Sequence, residues 1–240
     1  MNSTDEEGST RRSSDEASVQ ALYAQCKDLV LSASASAEER PLVVLRASTS
    51  GALLATGSLG TTVKLWDPQL LEQRGSLRGH TERIMSLAWH PQAGLVSDAP
   101  ELVASSSADG LCILWDCREL KDGSRESLMM EIDGRTKGSE RGKELRRFSG
   151  HVGPVADCAF HPSGRFIGTA GHDNTWRLWD VETGQELLLQ DGHVKECVSM
   201  SFQIDGALCL TADAAGVALL WDLRSGQVVH ICQGHVGKIR

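Results

Sequence analysis

Apolar residues in this chain come in short runs rich in Val, Leu, Ile and Ala. Gly, Pro, Asp, Asn and Ser break the runs apart, as they do between β-strands. Within a run the side chains alternate. Along TVKLWD, Val63 and Leu65 face one way while Lys64 and Trp66 face the other. From Pro41 to Leu77 the runs are PLVVL, ALLATGS, TVKLWD and the approach to Arg78-Gly79-His80. A second set is RIMSLAWHP, ELVASSS and LCILWD; a third is PVADCAFHPSGRFIGTA and TWRLWD; a fourth is CVSMSFQIDGALCLTA and VALLWD. Pro162-Ser163-Gly164 and Ile204-Asp205-Gly206 predict hairpin turns between the first two strands of their sets, and PQAGLVSDAP predicts a longer loop there.

The sets repeat at a fixed interval. His151, His193 and His235 are 42 residues apart, each preceded by Gly, and Trp179 and Trp221, each followed by Asp, are also 42 apart. A period of this size marks stacked supersecondary units, each a four-stranded antiparallel sheet that buries both faces against its neighbours. The fold class expected is all-β, a β-propeller of four blades over 41–233 with the start of a fifth over 234–240, in an open partial ring.

Polar groups inside such a blade need partners. Ten residues before each Trp of a Trp-Asp pair stands a hydroxyl: Thr56 before Trp66, Ser105 before Trp115, Thr169 before Trp179 and Thr211 before Trp221. Six residues before stand Gly60, Asp109, Asp173 and Ala215, and His80, His151 and His193 open blades two to four. In blades two and three the groups predict one network: the carboxylate takes the imidazole proton, the hydroxyl bridges, and the indole N–H donates into it. Taken singly, His151 and Asp173 resemble a catalytic dyad; recurrence once per period makes them a structural lock. Gly60 and Ala215 carry no carboxylate, so blades one and four are expected to be looser than blade three.

Outside the blades, residues 1–18 are Ser, Thr, Asp, Glu and Arg and read as a disordered tail. Residues 19–40 form a linker; the first half of 19–32 suits a helix, and Asp28–Ser32 suits a strand that closes a ring in a longer relative. His80 to His151 spans 71 residues, and the excess lies in the charged stretch 117–143, a solvated loop or a partner-binding one. Without closure, blades one and four are expected to offer apolar faces to water.

A net charge of -8 argues against a general phosphate-binding surface. Seven cysteines, an odd number without paired metal-ligand spacing, read as buried reduced thiols; Cys112, Cys158, Cys209 and Cys232 fall in strand-like runs. His90-Pro91 and His161-Pro162 occupy equivalent turns, and Trp176 suits packing against the next blade. No metal, cofactor, membrane span or catalytic set is expected.

Gly-His, hydroxyl, Asp and Trp-Asp at these spacings resemble a WD40-type propeller. HPSGRFIGTAGHDNTWRLWD with QDGHVKECVSMSF, preceded by GALLATGSLGTTVKLWD and LRGHTERIMSLAWHP, is similar more narrowly to the pre-mRNA-processing factor 4 family, the WD-repeat proteins of the U4/U6 small nuclear ribonucleoprotein. That resemblance implies a nuclear, non-catalytic scaffold of the U4/U6 and U4/U6.U5 tri-snRNP particles. Its implied partners are pre-mRNA-processing factor 3, a cyclophilin, and U4/U6 snRNA directly or indirectly. The family has a further domain before a seven-bladed propeller, so the chain is expected to be truncated at both ends. Trp115-Asp116-Cys117-Arg118 and Trp221-Asp222-Leu223-Arg224 fit the Trp-Asp-x-Arg pattern that resembles cullin-type ubiquitin-ligase receptors, and the alternative function is such a substrate receptor or another generic WD-repeat adaptor.

Overall fold

A computed structural model describes residues 40–93, 101–121 and 142–235, all within the unit Ser36–Arg240. The expectations for residues 1–39, most of the 91–100 loop, most of 117–143 and residues 236–240 lie outside the described residues. The described residues fold into four four-stranded antiparallel sheets, each with its strands in sequence order. Blade one holds β1 (Leu42–Ala47), β2 (Leu54–Ser58), β3 (Thr62–Trp66) and β4 (Gln73–Arg78). Blade two holds β5 (Ile84–Trp89), β6 (Leu102–Ser107), β7 (Leu111–Asp116) and β8 (Lys143–Ser149), with a helical turn α1 (Arg118–Lys121) after β7. Blade three holds β9 (Val155–Phe160), β10 (Phe166–Gly171), β11 (Thr175–Asp180) and β12 (Glu186–Asp191). Blade four holds β13 (Cys197–Phe202), β14 (Leu208–Asp213), β15 (Ala218–Asp222) and β16 (Gln227–Cys232). The four sheets form an all-β open partial ring of WD40 type.

Turn chemistry sets the hairpins. Gly164 and Gly206 sit at φ 73° and 76°, where a side chain is strained, in the two hairpin turns of blades three and four. Asn174, in the tight turn between β10 and β11, takes φ 65°, which Asn tolerates.

The blades pack with one handedness. Trp115 shares a core with Leu65 and Leu77 of blade one; Trp179 packs with Leu114 and Phe148 of blade two; Trp221 packs with Trp176 and Leu178 of blade three. Each blade therefore lays its Trp face on the opposite face of the blade before it. Phe148 and Trp179 lie 5.7 Å apart between centroids, and Trp176 meets Trp221 edge-on at 5.7 Å.

Polar staples cross the same interfaces. Trp89 Nε1 donates to the Arg46 carbonyl at 2.9 Å, tying blade two to blade one. Asp157 on β9 accepts from Ser199 Oγ at 3.1 Å and the Met200 N–H at 3.0 Å on β13. His161 Nε2 donates to the Gly206 carbonyl at 2.9 Å, with its ring edge-on to Phe166 and Phe202. The His161 turn is thus an interblade tie.

One expectation needs correction. Cys112, Cys117, Cys158, Cys197 and Cys209 are buried thiols, but Cys232 is exposed, because every residue of the outermost strand β16 is exposed. Blade one exposes apolar surface as expected, at Leu42, Val43 and Leu45 of β1, with Leu45 opposite Thr56 on the Trp66 side; Trp66 itself is 8% exposed, and the Lys64 ammonium lies 5.9 Å from its ring. Blade four does expose apolar surface, at Leu210, Val228, Val229 and Ile231.

Candidate functional site

Strand alternation brings the thirteen candidate residues together blade by blade. In blade three, Trp179 Nε1 donates to Thr169 Oγ1 at 2.8 Å, and Thr169 Oγ1 lies 2.8 Å from His151 Nε2. His151 Nδ1 lies 3.0 Å from both oxygens of Asp173. Blade two repeats the set. Trp115 Nε1 donates to Ser105 Oγ at 2.8 Å, Ser105 Oγ meets His80 Nε2 at 2.8 Å, and His80 Nδ1 meets Asp109 at 2.9 Å. Blade one keeps only the pair in which Trp66 Nε1 donates to Thr56 Oγ1 at 2.9 Å.

Blade four departs from the sequence expectation. Trp221 Nε1 donates to Thr211 Oγ1 at 2.7 Å, Thr211 meets His193 Nε2 at 2.7 Å, and His193 Nδ1 finds Asp213 at 3.1 Å. Asp213 stands two positions before Ala215 on the same strand as Thr211. Residues two apart on a strand share a face, so its carboxylate reaches the same imidazole from one step earlier. Blade four therefore has a complete network, and its expected looseness on this ground is overturned. Counting only the position six before Trp missed it; an acidic residue on the hydroxyl's face was the available signal.

Protonation follows from geometry. Burial lowers the His151 pKa, more than the Asp173 carboxylate raises it, so the ring is neutral. Burial works against Asp173 ionising too, but donors from Val152, Thr175 and His151 outweigh it and hold that carboxyl at about 2. A neutral ring that donates Nδ1–H to Asp173 must accept at Nε2. The chain then runs one way: indole N–H to Thr169, Thr169 O–H to His151, His151 N–H to Asp173.

The carboxylate is also saturated. Asp173 accepts from the Val152 and Thr175 N–H groups and from Thr175 Oγ1 as well as from His151. Every proton of the set is engaged in holding the two loops of the blade, which leaves the dyad-like pair no open valence for a substrate. Among the described residues no group of three or more His, Cys, Asp or Glu is arranged to hold a metal, and no helix is long and apolar enough to cross a membrane.

An ion pair that the sequence analysis missed caps two of the networks. Arg177 Nη1 donates to Glu186 Oε2 at 2.6 Å beside Gly150 and the Trp179 rim. In blade two Arg147 Nε donates to Glu144 Oε1 at 2.6 Å beside Gly79 and the Trp115 rim. The arginines come from different strands. Arg177 on β11 faces Leu189 on β12, whereas Ile113 on β7 faces Arg147 on β8. The two members of the cross-strand pair are exchanged, so the guanidinium reaches the same place from either side.

Three blades carry the full network and blade one its indole–hydroxyl pair, and comparison with known proteins agrees with that signature. The WD domain, G-beta repeat family matches residues 40–67, 71–116 and 142–180. The chain is a WD-repeat protein. Its fourth WD repeat lies beyond the matched residues and is recognised by its geometry. The chain is similar to the U4/U6 small nuclear ribonucleoprotein PRP4 of Saccharomyces cerevisiae, 34% identical over 157 residues, which are 65% of this chain and 29% of that protein. It is 34% identical over 134 residues to an uncharacterised WD repeat-containing protein of Schizosaccharomyces pombe, covering 55% of this chain and 24% of that one. It is 26% identical over 148 residues to the nuclear distribution protein nudF of Aspergillus terreus, 56% of this chain and 28% of that one. The WD-repeat chain thus spans less than a third of each of these relatives.

Proposed function

We propose that the chain is a non-catalytic scaffold of the U4/U6 and U4/U6.U5 tri-snRNP particles, acting in pre-mRNA splicing in the nucleus. The observation that carries this is the 34% identity to the yeast U4/U6 small nuclear ribonucleoprotein PRP4 across 65% of the chain. Its partners on this reading are pre-mRNA-processing factor 3, a cyclophilin and, directly or through them, U4/U6 snRNA. A scaffold agrees with the saturated blade networks, which hold structure and leave no valence for chemistry. Affinity purification of the tagged chain from nuclear extract, read by RNA sequencing and mass spectrometry, tests it. U4 and U6 RNAs with their proteins are expected; recovery of a cullin adaptor without them sinks the reading. In one of the two Trp-Asp-x-Arg segments behind that alternative, the Arg118 guanidinium is turned back onto Asp116, with Nε at 3.0 Å from its carboxylate.

A further inference from the structure

The rim of the arc has a wedge between each pair of adjacent blades, and the chain closes two of the three itself. Between blades one and two, α1 seats Leu120 beside Leu77 of β4. Between blades two and three, Arg146 on β8 donates from Nε and Nη2 to the Glu182 carbonyl at 3.2 and 2.7 Å. That strap ties β8 to the turn after β11.

The third wedge has lost both devices. Leu188 faces Leu178 as Arg146 faces Leu114, so a leucine stands at the strap position. Arg224 stands where Glu182 does, three residues past its tryptophan. A leucine cannot donate, and among the described residues no hydrogen bond joins β12 to the turn 222–226. A cleft of about 930 Å³ remains, walled by Phe166, Leu188, Leu208 and Leu223. Asp205 and Asp222 line it opposite a single guanidinium, that of Arg224, so its wall is net acidic. The Arg224 N–H, with Ser225, holds the Asp222 carboxyl below its usual range.

We propose that this wedge docks a linear segment of a partner protein, with an aliphatic or aromatic side chain seated against Leu188 and a basic side chain beside it. The segment would supply from outside the two groups that Leu120 and Arg146 supply at the other wedges, an apolar plug and a guanidinium strap. The net acidic wall selects the basic residue. The inference stands whether or not the partner belongs to a splicing particle.

The test uses the full chain and fluorescein-labelled Gly/Ser peptides with a central Leu and an Arg three positions away, read by fluorescence anisotropy. Replacing the peptide's Leu by Ser, or its Arg by Glu, is expected to weaken binding about tenfold each, the scale of one buried apolar anchor or one charge reversal. Leu188→Arg, which installs in this wedge the strap of the preceding one, should weaken binding about tenfold as well. Asp205→Asn keeps the acceptor that Ala207 N–H uses at 2.9 Å and removes only charge; it should weaken the Arg peptide about threefold and leave a peptide with Gln in place of Arg unchanged. Absence of saturable binding, equal binding of the Glu peptide, or binding indifferent to Leu188→Arg would overturn the proposal. If Leu188→Arg fails to fold by circular dichroism, the Asp205→Asn pattern decides alone, and an equal effect on both peptides counts against it.

Discussion

At the residue scale the decisive atom is the carboxylate that meets each blade histidine. Asp213→Ala should cost about 1–3 kcal/mol in urea unfolding, as should Asp173→Ala, because each leaves a buried imidazole N–H without its acceptor. Ala215→Asp should add little, since the imidazole is already occupied; a gain equal to the Asp213 loss would show that the assignment is wrong. The pH dependence has a definite sign. The folded pKa of His151 is depressed below 6.5, so its contribution is complete above that pH and is lost as the pH falls through the depressed value. Asp173, depressed from 3.8 to about 2, keeps its contribution above the ordinary value and loses it as the pH falls toward 2. Both losses lie on the acid side, and buried His90, also depressed by burial, adds to the first. The melting temperature should therefore begin to fall below pH 6.5, ahead of the carboxylate range, with a smaller early fall in His151→Gln; a melting temperature flat from pH 7 to 5 would count against a neutral His151. Most of these residues were legible from spacing alone, because a polar group repeated once per period needs a repeated partner. Asp213 was not, because a two-residue shift along a strand preserves the face while breaking the count.

At the element scale the cross-strand pairs carry information that a linear count cannot. Arg177 opposite Leu189 and Ile113 opposite Arg147 are the same arrangement with its members exchanged. Arg177→Leu should destabilise blade three by about 1–2 kcal/mol, and adding Leu189→Arg should restore at least half of that, a coupling read from a double-mutant cycle in urea. Strict additivity would mean that the guanidinium does not reach its site from β12. Strand existence and order followed from alternation and turn residues, and the four sheets match them. What could not be read was contact between blades. His161 on Gly206 and Asp157 on Ser199 join segments about one period apart, and nothing within a single repeat announces which polar residue turns outward to the next. The outer strands also differ in a way that only the sheet order makes visible: β4 and β8 carry arginines along the free edge, while β12 and β16 carry Leu187, Leu189, Val229 and Ile231 exposed.

At the scale of the whole molecule, the open ring was legible from the count of repeats, and so was the apolar surface left at its two ends. At one end Leu42, Val43 and Leu45 are exposed around a shielded Trp66, and at the other Leu210 is 40% exposed beside the apolar strand β16. The chain expressed alone should self-associate or aggregate through blades one and four. Size-exclusion chromatography with light scattering checks this, and a monodisperse single-chain mass that unfolds cooperatively would refute it. Leu210→Lys should shift the distribution toward the smaller species.

The constant handedness of blade packing makes any such association directional. Every interface within the arc joins a Trp face to the opposite face of its predecessor, so the surface left on blade four matches a Trp face and does not match itself. A two-fold dimer through that surface would press leucine against leucine and leave the tryptophan side idle. Addition head to tail repeats a contact already made three times and, unless a rotation closes it, runs on without end. Oligomers of this chain should therefore be polar, with two chemically different tips, and a capping fragment that carries only a Trp face should arrest growth at the blade-four tip when supplied in small excess.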